Sequence, residues 1–324
     1  MQSTSRTREA RTCGRFAPTP SGRMHLGNAF SSLLAWLDVR SSGGHMVLRI
    51  EDLDPRARDR ERADLLMGDL RWLGLDWDEG PLFQSRRTEH YEHALCELAR
   101  QGLTYPCFCT RSQLHAARAP HAADGTYLYQ GTCRDLSARQ IARLSAAREP
   151  AVRLRVPRSD EPLGIISYRD LVYGERKEVL ADECGDFLVR RSDGVFSYQL
   201  AVVVDDALMG INHVVRGRDL LGSAARQSYL FALLGHVAPV FAHVPLLIAP
   251  DGRRLSKRDH DLDLGVLRER GVDPRRIVGR LAHAAGLAEK DEDVTPAELV
   301  GRFSWEGPLG SKRDDVVVDP SFLH

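Results

Sequence analysis

The sequence predicts an α/β chain: a nucleotide-binding type of domain, interrupted by an α+β insertion and followed by a short, mainly helical C-terminal segment. Three observations carry this prediction. Strand-like and helix-like patterns alternate from Arg15 to Leu73. Over residues 88–190 that alternation gives way to a Cys-rich stretch and short alternating strands. The α/β pattern returns between Tyr198 and Ile248, and beyond residue 258 the spacing is mainly helical.

Taken in order, Arg15–Pro20 reads as a short strand leaving into a loop that contains Pro and Gly. Across His25–Arg40, the residues Leu26, Phe30, Leu33, Leu34 and Leu37 recur at helical spacing. Met46–Ile50 is a compact apolar run closing on Glu51-Asp52, which suits a buried strand. Arg56–Leu73 alternates charge ahead of Leu65, Leu66, Leu70 and Leu73, as a helix with one packed face does. Strand, helix, strand, helix is the order of a parallel sheet with crossover helices. A helix over Glu89–Gln101 leads into the Cys-rich stretch 107–133 and strands such as Ala151–Val156. Tyr198–Val204, Asn212–Val215 and Val244–Ile248 then restore the pattern, with Val244–Ile248 as its last strand. The expected division is a disordered tail over 1–14, domain halves at 15–87 and 191–250, the insertion at 88–190, and a loop with a helical segment over 251–324.

The chain has 324 residues, 45 Lys+Arg against 45 Asp+Glu, 43% hydrophobic and 28% charged residues, an ordinary globular composition. Zero formal charge excludes a broadly basic polyanion binder, because such affinity comes from neutralising phosphates. It leaves room for local arginine clusters. Lysine stands only at Lys177, Lys257, Lys290 and Lys312, so a lysine inside a motif departs from the habit of this chain. No run reaches the roughly 18 apolar residues of a membrane span. Arg6, Arg8 and Arg11 precede no apolar core, so the N-terminus is not a secretory signal. A cytoplasmic monomer is expected.

The first chemical constellation is Pro18-Thr-Pro-Ser-Gly-Arg-Met-His-Leu-Gly-Asn28, a rigid loop entering a helix near His25. Such an N-terminus offers unpaired amides and a positive dipole end, which favour phosphate. Gly27 would admit a base or ribose close to the backbone, and His25 could donate to phosphoryl oxygens. The second is Arg253-Arg-Leu-Ser-Lys-Arg258, where a rare lysine sits in a loop after a strand, suited to a departing pyrophosphate. Read singly, His25 is a helix cap and the basic run a solvated loop.

In combination the two motifs resemble the paired signatures of the class I aminoacyl-tRNA synthetases. His25-Leu-Gly-Asn28 is similar to their "HIGH" element and Arg254-Leu-Ser-Lys-Arg258 to their "KMSKS" element, with departures at Asn28, Arg254 and Arg258. Arg15–Gly22, Leu48–Asp54, Ser197–Asp206 and His213–Asp219 resemble segments of the glutamate branch. The resemblance implies a Rossmann-like catalytic domain that activates glutamate with ATP and Mg2+. It implies glutamate contacts at Arg15, Phe16, Ala17, Pro18, Thr19, Glu51, Tyr198 and Arg216, and ATP contacts at His25, Gly27, Asn28, Ser256 and Lys257, with His25 and Lys257 catalytic. The chemistry is apt. Arginine forks hold carboxylates, so Arg15 and Arg216 suit as anchors, Glu51 can pair with the ammonium, and Tyr198 can close the pocket.

Cys107-Phe-Cys109 followed by Tyr129-Gln-Gly-Thr-Cys133 places three thiols and a phenol within 27 positions, a set suited to zinc. Tyr129, Tyr127 or solvent can take the fourth corner. Asp135 stands where the zinc-binding glutamyl-tRNA synthetases have histidine. The Tyr-x3-Cys spacing resembles the glutamyl-queuosine tRNA(Asp) synthetases, paralogues with a tyrosine ligand, and so implies one Zn2+ per chain held by Cys107, Cys109, Tyr129 and Cys133. Beyond Lys257 the sequence has 67 residues (324 − 257), fewer than an anticodon-binding region needs. The implied reaction is tRNA-independent formation of glutamyl-adenylate, then transfer to the queuosine base of tRNA(Asp). Splayed loop bases are common targets of RNA recognition. The rivals are a truncated glutamyl-tRNA synthetase, a small-molecule nucleotidylyltransferase and a non-catalytic tRNA-binding paralogue.

Overall fold

The computed structural model describes residues 11–110, 112–113, 128–253, 263–311 and 314–318. Its first half follows the expected alternation: β1 (Cys13–Phe16), α1 (Leu26–Ser41), β2 (His45–Ile50), α2 (Arg60–Trp72) and β3 (Glu79–Phe83). These strands form a parallel sheet in the order β1-β2-β3. Helix α3 (Thr88–Arg100) follows. Asp59 accepts from the amide of Arg62 and so starts α2, after a single 3-10 turn at Pro55–Ala57. The helix therefore begins four residues later than the charge pattern alone suggests.

The middle segment holds β4 (Thr104–Cys107), α4 (Ala138–Ser145), β5 (Ala151–Leu154), β6 (Ile165–Asp170), β7 (Gly174–Val179) and β8 (Phe187–Arg190). Strands β4, β5 and β8 form an antiparallel sheet. Helix α4 starts on a reciprocal capping box between Ser137 and Gln140 and lays Ile141 and Leu144 against the cysteines.

The second half contains α5 (Tyr198–Leu208), β9 (His213–Gly217), α6 (Ala224–Leu233), β10 (Val240–Val244) and β11 (Leu247–Ile248). The run Tyr198–Val204, whose element type the pattern left open, is helical. Its residues are buried almost all round, so periodicity does not distinguish helix from strand there, and the Ser197 hydroxyl starts the helix by accepting from Leu200 N. Val244–Ile248 is not one strand, contrary to the sequence expectation. β10 ends at Val244, Pro245 has no amide to continue the ladder, and β11 is a separate short strand. Strand β6, from within residues 88–190, joins the second sheet, whose order is β7-β6-β10-β9. There β10 runs parallel to both β9 and β6.

The β1-β2-β3 sheet and the mixed second sheet, in which β7 runs antiparallel to β6, meet at β1 and β9. Asn212 N donates to Cys13 O at 3.0 Å, and Cys13 N donates to Asn212 Oδ1 at 2.7 Å. The C-terminal part adds α7 (Leu264–Glu269), α8 (Pro274–Ala284), α9 (Pro296–Leu299) and β12 (Val316–Val317), the last parallel to β11. Helices α7 and α8 pack into the same core as α1, whose Leu26, Phe30, Leu34 and Leu37 are fully buried. Among the described residues no helix is long and apolar enough to cross a membrane.

Candidate active site

A cavity of about 430 Å³ opens at the carboxyl ends of β1, β2 and β9, beside the N-terminus of α1. That is where open α/β sheets receive ligands. The residues expected from the sequence converge there. Arg15 and Phe16 end β1, and Ala17, Pro18 and Thr19 form the loop that follows. Glu51 is held against this loop by its amide, which donates to Pro18 O at 3.0 Å. Tyr198 enters from the first turn of α5, Arg216 from β9, and His25, Gly27 and Asn28 from the start of α1. Ser256 and Lys257, with the rest of Arg254–Arg258, lie outside the described residues.

Charge alternates beneath the cavity. Arg49 is fully buried in β2 and donates from Nη1 to Asp206 Oδ1 at 2.6 Å and from Nη2 to Glu51 Oε1 at 3.2 Å. Its Nε lies 3.8 Å from Asp205 Oδ2. Asp206 Oδ1 is 3.7 Å from Arg15 Nε, so one carboxylate stands between two arginines. Asp205 in turn accepts from Gln84, Arg87 and Tyr91. Burial pushes the Arg15 guanidinium below its ordinary range. Burial likewise pushes the Glu51 carboxyl up, against the pull of Arg49 and Arg15. An incoming ammonium would relieve that cost at Glu51. Sequence reasoning did not single out Arg49, Asp205 and Asp206. Their signal was there: charged residues set in or directly after apolar runs, which stay buried only when paired.

Arg216 is 5% exposed and held on several sides. Nη1 donates to Gln227 Oε1 at 2.8 Å and to the Tyr198 hydroxyl oxygen at 3.3 Å, while Nη2 donates to Leu220 O at 3.3 Å. Because the Tyr198 oxygen accepts from Arg216, its own O–H stays available to a ligand. Nε donates to His243 Nε2 at 2.9 Å. The Arg216 guanidinium also lies over the Phe241 ring, 5.1 Å from its centroid.

On the other side of the cavity, His25 begins α1 without a side-chain capping hydrogen bond. A Cβ on Gly27 would meet the His25 ring at 3.1 Å, so the glycine leaves room for the imidazole over the first turn. Asp69, fully buried in α2, fixes the approach: it accepts from Arg23 Nη1 at 2.9 Å and from Met24 N at 3.1 Å. Leu264 N donates to Met24 O at 2.9 Å, and Asp263 bridges to His25. The residue that follows the Arg254–Arg258 signature segment and its flank is thus tied to the helix N-terminus.

In the middle segment, three thiols and a phenol gather. The Sγ atoms of Cys107, Cys109 and Cys133 lie within 4.8 Å of one another. Tyr129 OH is 3.6 Å from both Cys107 Sγ and Cys109 Sγ, and Cys109 Sγ is 3.6 Å from Cys133 Sγ. Thiolates bound at ~2.3 Å to a tetrahedral ion would lie about 3.7 Å apart, so the spacing fits four ligands around one metal. Burial raises the Cys107 thiol, but the hydrogen bond and charge of Arg153 outweigh it and bring the thiol below its ordinary range. The Tyr129 phenol is pushed up by burial and by its thiol neighbours, so it would ionise only against the charge of a metal. Tyr127 lies outside the described residues.

The model of the catalytic domain of class I tRNA synthetases (E and Q) matches residues 11–306. The chain belongs to that family. A glutamyl-Q tRNA(Asp) synthetase of Symbiobacterium thermophilum is 49% identical over 295 residues, covering 87% of this chain and 89% of that protein. A glutamate–tRNA ligase of a Synechococcus strain is 40% identical over 83% of this chain, which spans only 56% of the ligase. The crystal structure of a glutamate tRNA ligase from Elizabethkingia meningosepticum, in complex with its amino acid, superposes with a TM-score of 0.79 at 26% identity, covering 97% of this chain and 68% of that one. Within the family the chain groups with the glutamyl-Q tRNA(Asp) synthetases, and it is an enzyme of the ligase type.

Proposed function

We propose that this synthetase activates L-glutamate with ATP in the absence of tRNA and transfers the glutamyl group to the queuosine base at the wobble position of tRNA(Asp). The observation that carries the reading is one cavity in which two buried arginines, Arg15 and Arg216, face Glu51 beside the N-terminus of α1. Glutamate carries two carboxylates and one ammonium, and this arrangement supplies two forks and one carboxylate for them. The similarity to the Symbiobacterium relative over most of both chains supports the queuosine step.

An oxygen of the α-carboxylate attacks the α-phosphorus of ATP. The bond from that phosphorus to the β-phosphate breaks, and pyrophosphate leaves with its electron pair. His25, Gly27 and Asn28 meet the phosphates at the helix N-terminus, and Ser256 and Lys257 would stabilise the departing charge. Mg2+ accompanying ATP offsets phosphate charge. Arg15, Arg216, Tyr198 and Glu51 hold the amino acid still, so positioning and electrostatics replace a protein nucleophile. A hydroxyl of the queuosine cyclopentene ring then attacks the glutamyl carbonyl, loses its proton, and displaces AMP.

Cys107, Cys109, Cys133 and Tyr129 would hold one Zn2+ per chain, which cross-links the middle segment and supplies no step of the reaction. The enzyme acts as a cytoplasmic monomer on its RNA. Exchange of labelled pyrophosphate into ATP, dependent on glutamate and run without RNA, tests the activation step. Exchange above background supports it, and none at millimolar glutamate contradicts it.

A further inference from the structure

Arg216 is anchored differently from Arg49, the buried arginine beneath the cavity. Arg49 meets the carboxylates of Asp206 and Glu51, so its charge is compensated inside the protein. The groups that hold Arg216 are an amide oxygen, a phenol, a backbone carbonyl and the His243 ring. The state of that ring follows from its neighbours. An arginine only donates, so His243 Nε2, 2.9 Å from Arg216 Nε, accepts and carries no proton. The proton therefore sits on Nδ1, which donates to Asp170 Oδ2 at 2.5 Å. The other Asp170 oxygen accepts from the amides of Val172 and Tyr173, each at 2.9 Å. Both His243 and Asp170 side chains are fully buried.

We propose that His243 and Asp170 are positioning residues for amino-acid recognition: a neutral relay that aims the Arg216 fork while leaving its charge uncompensated for the carboxylate of the substrate. This rests on the reading of Arg216 as a glutamate anchor. Asp170 fixes the tautomer and plane of the imidazole, and the imidazole orients the guanidinium without cancelling it. A carboxylate in the place of His243 would pair with Arg216 and compete with the substrate. Burial supports the neutral state, holding the His243 imidazole down at about 4. The Asp170 carboxyl stays below its ordinary range because its hydrogen bonds from His243, Tyr173 and Val172 outweigh the opposing effect of burial. Asp170 comes from β6, so a strand of the middle segment reaches the amino-acid pocket of the α/β domain through β10.

Two near-isosteric variants separate aiming from folding. His243→Asn puts an amide near Nδ1, where it can serve Asp170, but nothing at Nε2. His243→Gln extends a carbonyl toward Arg216. Glutamate-dependent pyrophosphate exchange and equilibrium glutamate binding are measured for both, with Arg216→Ala as reference. The relay predicts that His243→Asn raises KM and Kd for glutamate about tenfold or more, as expected for a lost hydrogen bond to a charged group, with KM for ATP unchanged. It predicts that His243→Gln recovers most of that loss. If Arg216→Ala weakens glutamate binding and both His243 variants bind like the parent, the relay is wrong and the anchor stands. Equal losses for glutamate and ATP in both variants, without recovery by Gln, mean a merely structural histidine and overturn the relay too. If Arg216→Ala binds glutamate like the parent, the anchor reading fails, and the relay with it.

Discussion

Arg49 and Asp206 face each other at 2.6 Å with their side chains sealed from solvent, and the same Asp206 oxygen lies 3.7 Å from Arg15. One carboxylate thus sets the spacing between a structural arginine and a pocket arginine. Asp206→Ala leaves two buried cations without it. Breaking a buried pair by removing one partner costs about 3–5 kcal/mol, so the variant should unfold at markedly lower urea. Arg49→Met, which removes the central cation, should also fail to hold Glu51 and so weaken glutamate binding.

Glu51→Gln keeps the shape of the pocket and removes the charge meant for the ammonium. Loss of one partner of a buried charge pair costs about 2–5 kcal/mol, so KM for glutamate should rise on the order of 100-fold while KM for ATP holds. Burial keeps the Glu51 carboxyl above its ordinary range, so a proton competes with the ligand as pH falls. KM for glutamate should therefore rise toward acid pH in the parent, and this rise should vanish in Glu51→Gln.

His243 makes a stability prediction of its own. Its imidazole is held down at about 4, against an ordinary value of 6.5. Between those values the unfolded chain binds the proton and the folded one does not, so stability falls as pH drops through that window. The contribution is fully present above about 6.5 and exhausted near 4. Urea unfolding at pH 7 and pH 4.5 should show the parent losing roughly 2 kcal/mol more than His243→Gln.

The proposed zinc site predicts that purified protein carries one zinc per chain by elemental analysis, and that Cys133→Ala carries little. Removal of the ion by a chelator should lower the melting temperature, because binding energy at a structural site is folding energy. Tyr129→Phe should weaken retention less than Cys133→Ala, since a phenol supplies one weak corner.

Asp38 ties the C-terminal segment to α1 and β9. It accepts from Trp305 Nε1 at 2.6 Å and contacts His213 Nδ1 at 3.0 Å. Asp38→Ala leaves an indole N–H without its partner and should cost about 1–3 kcal/mol, read from the urea midpoint.

Much of this was legible in the sequence because local patterns carried it. The spacing of Leu26, Phe30, Leu33 and Leu37 set α1, and the Cys-x-Cys pair with Tyr129 and Cys133 marked the cluster of thiols and phenol that could hold a metal. What stayed hidden were partnerships between distant positions. Arg49 and Asp206 are 157 residues apart, and Asp170 and His243 are 73 apart. Each sits in or beside an apolar run, where a charged or titratable residue survives only with a partner, yet the sequence does not say which one. The helix at Tyr198–Leu208 stayed open for a related reason: a segment buried on all sides shows no period. The joining of β6 to β10 rests on a single paired position, Phe241 with Asp170, and left no pattern to read.

The central claim is the transfer of activated glutamate to a modified base. Labelled glutamate, ATP and the enzyme should be incubated with tRNA(Asp) with and without queuosine, and the labelled nucleotide mapped by nuclease digestion. The expected result is label on the wobble nucleotide of queuosine-bearing tRNA alone. Label on queuosine-free tRNA, or at the 3′-terminal adenosine, would contradict it.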